Sequence, residues 1–193
     1  MIGIICPICK LSYVPAVPED SGWHQHAHYQ VVRAIEPMPR KRFVHAIRNG
    51  FEGEYVGLGA ARWKHEEMHA RARMFKREFE YDFIAWDKSG KDAGAHGFLF
   101  NDDTGTFGHG SIAGACAIHW TEFADAPAQW SMIWVWIAPK ARRRGILSRR
   151  WPFLKKRFGN FHLSKPLSDP MAKFVNKVSN TTNLFFMATT RPL

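Results

Sequence analysis

The sequence predicts an α+β fold, with a mixed central sheet flanked by helices and preceded by a small module rich in cysteine and histidine. Short apolar strand patterns alternate with two longer helical patterns, and 46% hydrophobic residues are enough to build a core. At 193 residues the chain fits one domain with a small appendage. Two prolines two apart, Pro37 and Pro39, interrupt both helix and sheet. We therefore place a boundary there, with one unit over residues 1–37 and a second over residues 38–193.

The first unit carries the metal-binding pattern. Cys6-x2-Cys9 is followed after fourteen residues by His24-x3-His28. Two thiolates on a tight turn and two imidazoles on one helix face form the tetrahedral cage that structural zinc requires. His26 would point to the opposite side of the helix and is the weaker substitute. The spacing predicts a C2H2 zinc finger. The segment between the two ligand pairs has one basic residue, Lys10, so we do not expect a finger that reads DNA bases.

The second unit alternates between strand-like and helix-like hydrophobic patterns. The stretch 60–79 lacks Gly and Pro and spaces Met68, Ala72 and Phe75 as a helix does. Cys116 lies in an apolar run, which predicts a core thiol. In chain order we expect a strand-like segment over 43–58, a helix over 60–79, strands over 81–86, 97–100, 112–120 and 132–137, helices over 145–158 and 171–177, and a final strand over 184–187.

One stretch of the long helix matches a protease motif. His65-Glu66-Glu67-Met68-His69 fits H-E-x-x-H, in which two histidines bind zinc and the glutamate acts as general base. The surrounding helix is rich in charge, and no later element offers a clear third ligand. A solvated helix face explains the same residues, and we favour it.

Charge and hydropathy limit the class of protein. The formal net charge is +10, which favours a polyanion, an acidic protein surface or a phosphate-rich cofactor as partner. The longest apolar run, 132–138, is far shorter than the roughly 18–20 residues that span a bilayer, and the N-terminus lacks a signal-peptide pattern. We expect a soluble intracellular protein without a membrane partner, nuclear in a eukaryote and cytoplasmic in a bacterium.

The basic charge is concentrated where a strand meets a helix. Residues 131–165 hold ten Lys or Arg and no Asp or Glu. An apolar strand leads through Pro139 and the turn Arg142-Arg143-Arg144-Gly145 into a helix that begins at Ile146. Free backbone N–H groups as far as Ser148 and the positive helix end would face an anion there. The pattern favours the pyrophosphate of a nucleotide-like cofactor over a nucleic-acid stripe or a solvated basic helix.

The same segment resembles a known family. The V-x-x-P-x-x-R-x-x-G-x run from Val135 to Ile146 is similar to the acetyl-CoA loop of the GCN5-related N-acetyltransferase (GNAT) superfamily. Nearly the whole chain is similar, in order, to the cohesin acetyltransferases that establish sister-chromatid cohesion. The segments that carry this resemblance are the C2H2 finger with Tyr13 and Pro18-Glu19-Asp20, Gly114-Ala-Cys-Ala-Ile118, Ser131-Met-Ile-Trp-Val135, Ser168-Asp169-Pro170 and Asn180-Thr-Thr-Asn183 with 184–187.

The resemblance implies a GNAT fold and transfer of acetyl from acetyl-CoA to a protein lysine, with an acidic protein surface or a DNA-associated complex as further partners. It departs from the family at Pro152, which replaces a glutamate and should kink or restart the helix, and at Met187, which replaces a late tyrosine. An acyltransferase fold that binds CoA or an acidic partner without turnover is the alternative. The implied cofactor-binding residues are Trp134, Val135, Trp136, Arg142, Arg143, Arg144, Gly145, Ile146 and Ser148, and the implied catalytic residues are Asp169, Ser168 and Ser131, with Glu122 and His119 as substitutes for the base.

Overall fold

The computed structural model describes residues 2–188, with side chains through residue 179. It has mixed α/β architecture with a five-stranded mixed sheet. In chain order the elements are β1 (Ile4–Ile5), β2 (Ser12–Tyr13), α1 (Pro18–Ile35), α2 (Lys41–Ala46), a kinked 3-10 segment (Ile47–Glu54), β3 (Tyr55–Val56), α3 (Arg62–Glu78), β4 (Ala95–Asn101), β5 (Ile112–Thr121), β6 (Gln129–Ile137), a 3-10 turn (Pro139–Ala141), α4 (Ile146–Phe158), β7 (His162–Leu163) and α5 (Asp169–Ala188).

The main sheet has the order β3-β4-β5-β6-β7. Its first three pairings are antiparallel, and β7 pairs parallel to β6 because α4 returns the chain across the sheet. Strand β7 pairs with only two residues of β6, Ser131 and Met132. A further bond runs from the N–H of Ser164 to the carbonyl of Met132, 3.1 Å between N and O. Past Met132, no strand in the described part of the chain covers that edge of β6.

Helices cover both faces of the sheet. On one face α1, α2 and α3 contribute Ala34, Phe43 and Met68 to a core shared with Trp134 and Trp136 of β6. On the other face α4 and α5 pack against another set of sheet side chains, which includes Phe98, Cys116, Ile118, Met132 and Val135. The molecule is thus a helix–sheet–helix sandwich. The predicted core position of Cys116 is confirmed.

Strand β6 contains a bulge at Ile133. Ala117 pairs with Trp134 and Ile118 pairs with Met132, so Ile133 has no paired residue in β5. The bulge changes which side chains face which helices. Met132 faces α4, Ile133 and Trp134 both face α3, and Val135 faces α4 again. The bulge lies next to the point where β7 stops pairing with β6.

Helix α4 begins and ends at glycines with positive φ. Gly145 has φ 82° and Gly159 has φ 67°, a backbone region that favours residues without a Cβ. The helix continues across Pro152 as one element, so the expected restart there is wrong. Pro152 is exposed, and the helix is anchored by the buried residues Trp151 and Leu154 on either side of it.

Some of the predicted helices and strands are confirmed, and others are wrong. The helices over 60–79 and 145–158 and the strands over 97–100, 112–120 and 132–137 are confirmed as α3, α4, β4, β5 and β6. The strand over 43–58 is wrong except for β3, because α2 and the 3-10 segment occupy it. The strand over 81–86 is wrong, since turns and bends occupy that stretch. The predicted helix over 171–177 continues as α5 through 184–187, where a strand was predicted.

The N-terminal unit shares a core with the sheet. Helix α1 carries His24 near its start, yet Ala34 near its end belongs to the core on the α3 face. Arg33 of α1 also donates to Glu67 of α3, 3.3 Å between Nη2 and Oε1. The finger is therefore packed on the larger unit. Among the described helices, none combines the length and the apolar character that crossing a membrane requires.

Candidate functional site

The four predicted metal ligands come together at the N-terminal unit. The ligand atoms of Cys6, Cys9, His24 and His28 all lie within 4.8 Å of one another. Cys6 Sγ is 3.3 Å from His28 Nδ1, and Cys9 Sγ is 3.3 Å from His24 Nε2. Zinc bound tetrahedrally, with Zn–S of about 2.3 Å and Zn–N of about 2.0 Å, separates neighbouring ligand atoms by roughly 3.3–3.8 Å. This group could hold a zinc ion.

The chain positions these ligands in two steps. A turn between β1 and β2 holds the cysteines, with the N–H of Lys10 donating to the carbonyl of Cys6 at 2.8 Å. Helix α1 then presents His24 and His28 one turn apart, while His26 is exposed and outside the group. The weaker alternative, His26, is therefore wrong. The Tyr13 ring stacks on the His24 ring, 3.7 Å between centroids, and fixes its orientation.

The two thiols differ in acidity. A hydrogen bond from the main chain of Cys9 is the largest effect that lowers the pKa of Cys6, to about 6, whereas burial raises the pKa of Cys9. A thiolate at Cys6 is thus available near neutral pH, and a bound dication would favour the second thiolate as well.

The H-E-x-x-H stretch serves packing. Glu66 is exposed and pairs with Arg62, whereas His65 is buried against the ring of Trp86. Nδ1 of His69 lies 2.9 Å from the carbonyl oxygen of Trp86. The expectation of a solvated helix face thus holds for Glu66 and is wrong for His65 and Glu67. Within residues 2–179 the finger ligands form the one cluster of such side chains that fits a metal.

A second candidate site is a cleft where β6 and β7 separate. It contains about 710 Å³ of empty space, counting its open mouth. Most lining groups are apolar, and the polar ones are hydroxyls. The lining comes from the end of α3 (Phe75, Phe79 and the following Tyr81), from β6 (Met132, Ile133, Trp134 and Val135) and from the stretch between the end of β7 and the first turn of α5 (Leu163, Ser164, Pro166, Leu167, Ser168 and Met171).

The basic turn after β6 leads into the N-terminus of α4. The Arg142 side chain is held by hydrogen bonds there. Its Nε donates to the carbonyl of Ile137 at 2.8 Å, and its Nη2 donates to Glu78 at 2.6 Å. Arg143 and Arg144 are exposed and form no ion pair among the described residues. Cations beside a helix N-terminus are unfavourable unless an anion neutralises them. The turn is therefore suited to an anion, although none of its residues lines the cleft.

The remaining predicted cofactor residues fall into three groups. Trp134 and Val135 line the cleft, and Ser148 is exposed on the first turn of α4. Trp136 and Ile146 are buried in the two cores and do not line it. The indole of Trp136 donates to Glu78 at 2.9 Å, the carboxylate that also holds Arg142. Glu78 thus ties the end of β6 to the basic turn.

The predicted catalytic residues do not converge. Ser168 lines the cleft and precedes α5, whereas Asp169 is exposed at the first residue of that helix. Ser131 is buried, and its Oγ has no hydrogen-bond partner among the described residues. Glu122 is exposed beyond β5. His119 Nε2 lies 3.1 Å from Asp92 Oδ2.

Sequence reasoning missed Tyr81 in this cleft. Its ring packs on Phe75, 5.2 Å between centroids, and the chain folds so that Tyr81 reaches a cleft whose other walls are about fifty or more residues away in sequence. Aromatic spacing alone predicted a strand at that point, and no local pattern marks the residue as part of a site. Comparison of the chain with models of known protein families and with curated proteins found no match.

Proposed function

We propose that this protein is an acetyl-CoA-dependent N-acetyltransferase of the GNAT fold that modifies a protein lysine, as its resemblance to the cohesin acetyltransferases implies. The observation that carries the proposal is the separation of β6 from β7 directly after Met132, beside the bulge at Ile133. Such a separation leaves main-chain N–H groups at a strand edge without a strand partner. One of them can polarise the carbonyl of a thioester bound in the cleft.

The chemistry of the cleft and that of the turn suit the two parts of the proposed cofactor. The apolar lining around Val135 and Leu167 suits the pantetheine arm. The N-terminus of α4, with Arg143 and Arg144 beside it, suits the pyrophosphate. The site joins an apolar slot to an anion-binding turn through one strand, β6, and an acylated CoA has the same two parts.

The reaction needs three proton transfers. The acceptor ammonium must lose a proton before its nitrogen attacks the thioester; the C–N bond then forms, the C–S bond breaks, the nitrogen gives a second proton to the base or to water, and the thiolate takes one proton. Tyr81 is the titratable side chain on the cleft wall in the described residues and is proposed as the donor to the thiolate. Asp169, next to the cleft-lining Ser168, is proposed as the base.

Zinc has a structural role in this proposal. The four ligands fill a tetrahedral shell and leave no open position for substrate, and the buried Cys9 and Val31 place the site in the small core of the finger. When bound, the ion would hold the β1–β2 turn against α1.

Acetyl-CoA binding tests the site first. We expect R144E/G145D to weaken calorimetric binding at least tenfold, about 1.4 kcal/mol, because it adds negative charge and a Cβ at the phosphate turn. The matched control is K156E/G159D, which makes the same kind of changes at the other end of α4, where Lys156 is exposed and Gly159 also has positive φ. Equal affinity of the wild type and both variants would contradict the cofactor site.

Transfer to a lysine peptide tests the chemistry. We expect Asp169→Asn to lower kcat by roughly 10²–10⁴ with unchanged acetyl-CoA affinity, since it removes proton transfer and no phosphate contact. Tyr81→Phe should lower kcat and leave the cofactor bound. Glu122→Gln and His119→Ala test the competing bases. A wild-type kcat in Asp169→Asn together with an inactive Glu122→Gln would move the base to β5.

Binding without turnover is the second candidate. It is favoured by one observation: no Asp, Glu or His is among the side chains that line the cleft in the described residues. Absence of acetyl transfer from the wild type to any lysine peptide or free amine, with acetyl-CoA still bound, would establish it.

A further inference from the structure

A second cavity lies between the finger and the end of α3. It contains about 910 Å³ of empty space and is open to solvent. Leu11, Ala27 and Val31 of the finger form an apolar floor. The lining also includes three basic residues of α3, Arg73, Lys76 and Arg77. Glu80 is the one acidic residue on its wall, so the wall carries a net positive charge.

The side chains of the two arginines on this wall have no partner among the described residues. Lys76 donates to the carbonyl of Asp82 at 2.6 Å, whereas Arg73 and Arg77 form neither an ion pair nor a hydrogen bond within residues 2–179. Arg73 and Arg77 are four apart on one helix, an arrangement of like charges that disfavours the helix. The helix dipole favours cations in the last turn, which accounts for Lys76 and Arg77 but not for Arg73.

Tyr81 connects this cavity with the cleft. This residue is part of the lining of both. A polypeptide lying in the basic cavity could therefore pass Tyr81 and place one side chain in the cleft. At about 3.3 Å per extended residue, a spacing of roughly two to four residues covers the width of the Tyr81 ring.

We propose that the cavity between the finger and α3 binds an acidic segment of the acceptor polypeptide, with acidic residues about two to four positions from the lysine that enters the cleft. This inference rests on the proposed function for the role of the cleft. The two unpaired guanidinium groups would form ion pairs with carboxylates of the segment. Leu11 and Val31 would pack against an apolar side chain that lies between those acidic residues. The finger then forms one wall of the acceptor site.

The experiment compares two lysine peptides that differ in glutamate or glutamine at those positions. We expect wild-type kcat/KM to be at least tenfold higher for the glutamate peptide at low salt, with the difference mainly in KM and smaller at high salt. R73E/R77E should abolish this preference and favour a peptide with lysines at the same positions. Transfer to a small free amine should keep its rate, because Arg73 and Arg77 do not line the cleft.

Two further variants keep the test decisive. Arg77 lies close enough to Cys9 for its charge to oppose the rise in the pKa of that thiol, so R73E alone, which keeps Arg77, should show a reduced preference with full zinc content. The control R42E/R48E makes the same charge change at two exposed arginines without ion pairs in the described residues. An equal loss in this control, or equal wild-type rates for the two peptides, would overturn the inference.

Failure of the proposed function gives a different result. If no amine is acetylated, the acetyltransferase proposal fails, and fluorescence anisotropy with the same labelled peptides judges the cavity alone. Salt-dependent binding of the glutamate peptide by the wild type and not by R73E/R77E would support the acidic-segment site. Equal binding by both proteins would overturn it.

Discussion

Glu67 on α3 is surrounded by three arginines. It accepts from Arg33 of α1, from Arg40 in the segment before α2 and from Arg71 one turn further along α3. Arg71 is 2% exposed and also donates to the carbonyl of Ile112 at 3.0 Å. Burial lowers the pKa of Arg71, against the opposing effect of Glu67, so the buried cation depends on its carboxylate partner.

Replacing Glu67 should therefore destabilise the protein strongly. We expect Glu67→Gln to lower the free energy of unfolding by about 3–5 kcal/mol, because it leaves a buried guanidinium uncompensated. Denaturant unfolding measures this. Glu66→Gln is the matched control, since Glu66 is exposed and should change stability by less than about 0.5 kcal/mol. Equal effects of the two variants would contradict the role of Glu67.

The zinc ligands allow an equally local test. We expect metal analysis to give about one zinc per chain, and Cys9→Ala to lose the metal and the fold of the finger, because structural zinc stabilises so small a module. Cys116→Ala, which removes a buried thiol from the sheet core, should retain the metal. Full zinc occupancy in a Cys6/Cys9 double alanine variant would refute the assignment.

Among the elements, the turn between β4 and β5 depends on one carboxylate. Burial alone would raise the pKa of Asp102, but its carboxylate accepts hydrogen bonds from the N–H and hydroxyl of Thr104 and from the N–H groups of Phe107 and Gly108. These bonds outweigh burial and hold the pKa of Asp102 below its usual value. The ionised form is the one that orders the turn.

This lowered pKa gives a pH dependence with a definite sign. The stabilisation is fully present above the unfolded-state pKa of about 3.9 and is lost as pH falls through the lower folded-state value. We expect Asp102→Asn to reduce stability by about 1–3 kcal/mol at pH 7 and to lose less than the wild type on acidification from pH 5 to pH 2. Thermal unfolding across that range, with the exposed Asp125→Asn as control, measures both. Parallel curves for the wild type and Asp102→Asn would contradict it.

The elements differ in how far sequence predicts them. The helix α3 and the strands β5 and β6 have strong periodicity over many residues, so local pattern suffices. The stretch 43–58 failed because the positive φ of Gly50 (64°) and the 3-10 turns around it leave no regular period. The aromatic run over 81–86 resembles a strand, but Tyr81 packs on Phe75, and the carbonyl of Ala85 accepts from the indole of Trp134 at 2.8 Å. Tertiary contacts decided that segment.

At the scale of the whole molecule, the two candidate sites were not equally predictable. The four predicted metal ligands follow from spacing within one short stretch, and the structure brings them together in a group that could hold a metal ion. The cleft is lined by residues from three distant parts of the chain; Trp134, Val135 and Ser168 were predicted as site residues, while Tyr81 and Leu167 were not. The exposed position of Asp169, beside the cleft and not on its wall, also depends on how α5 begins.

Zinc removal should act on the whole chain. Because Ala34 of α1 belongs to the core on the α3 face, loosening the finger also loosens that core. We expect a chelator to lower the unfolding midpoint by about 5–10 °C within a single transition, since 1 kcal/mol moves a domain of this size by about 2–4 °C. Calorimetry with Cys9→Ala as the chelator-insensitive control tests this. Two transitions, the upper one unmoved by chelator, would show that the finger unfolds independently.

The bulge in β6 also makes the chain one residue longer than a regular strand needs. Deleting a residue from a regular strand turns every later side chain to the opposite face, which exchanges core for surface. Deleting Ile133 would leave Met132 facing α4 and Trp134 facing α3, as they do now, and Ala117 and Ile118 would regain a regular partner strand. At the edge of the cleft the strand can therefore lose one residue, Ile133, without changing which of the remaining side chains are buried.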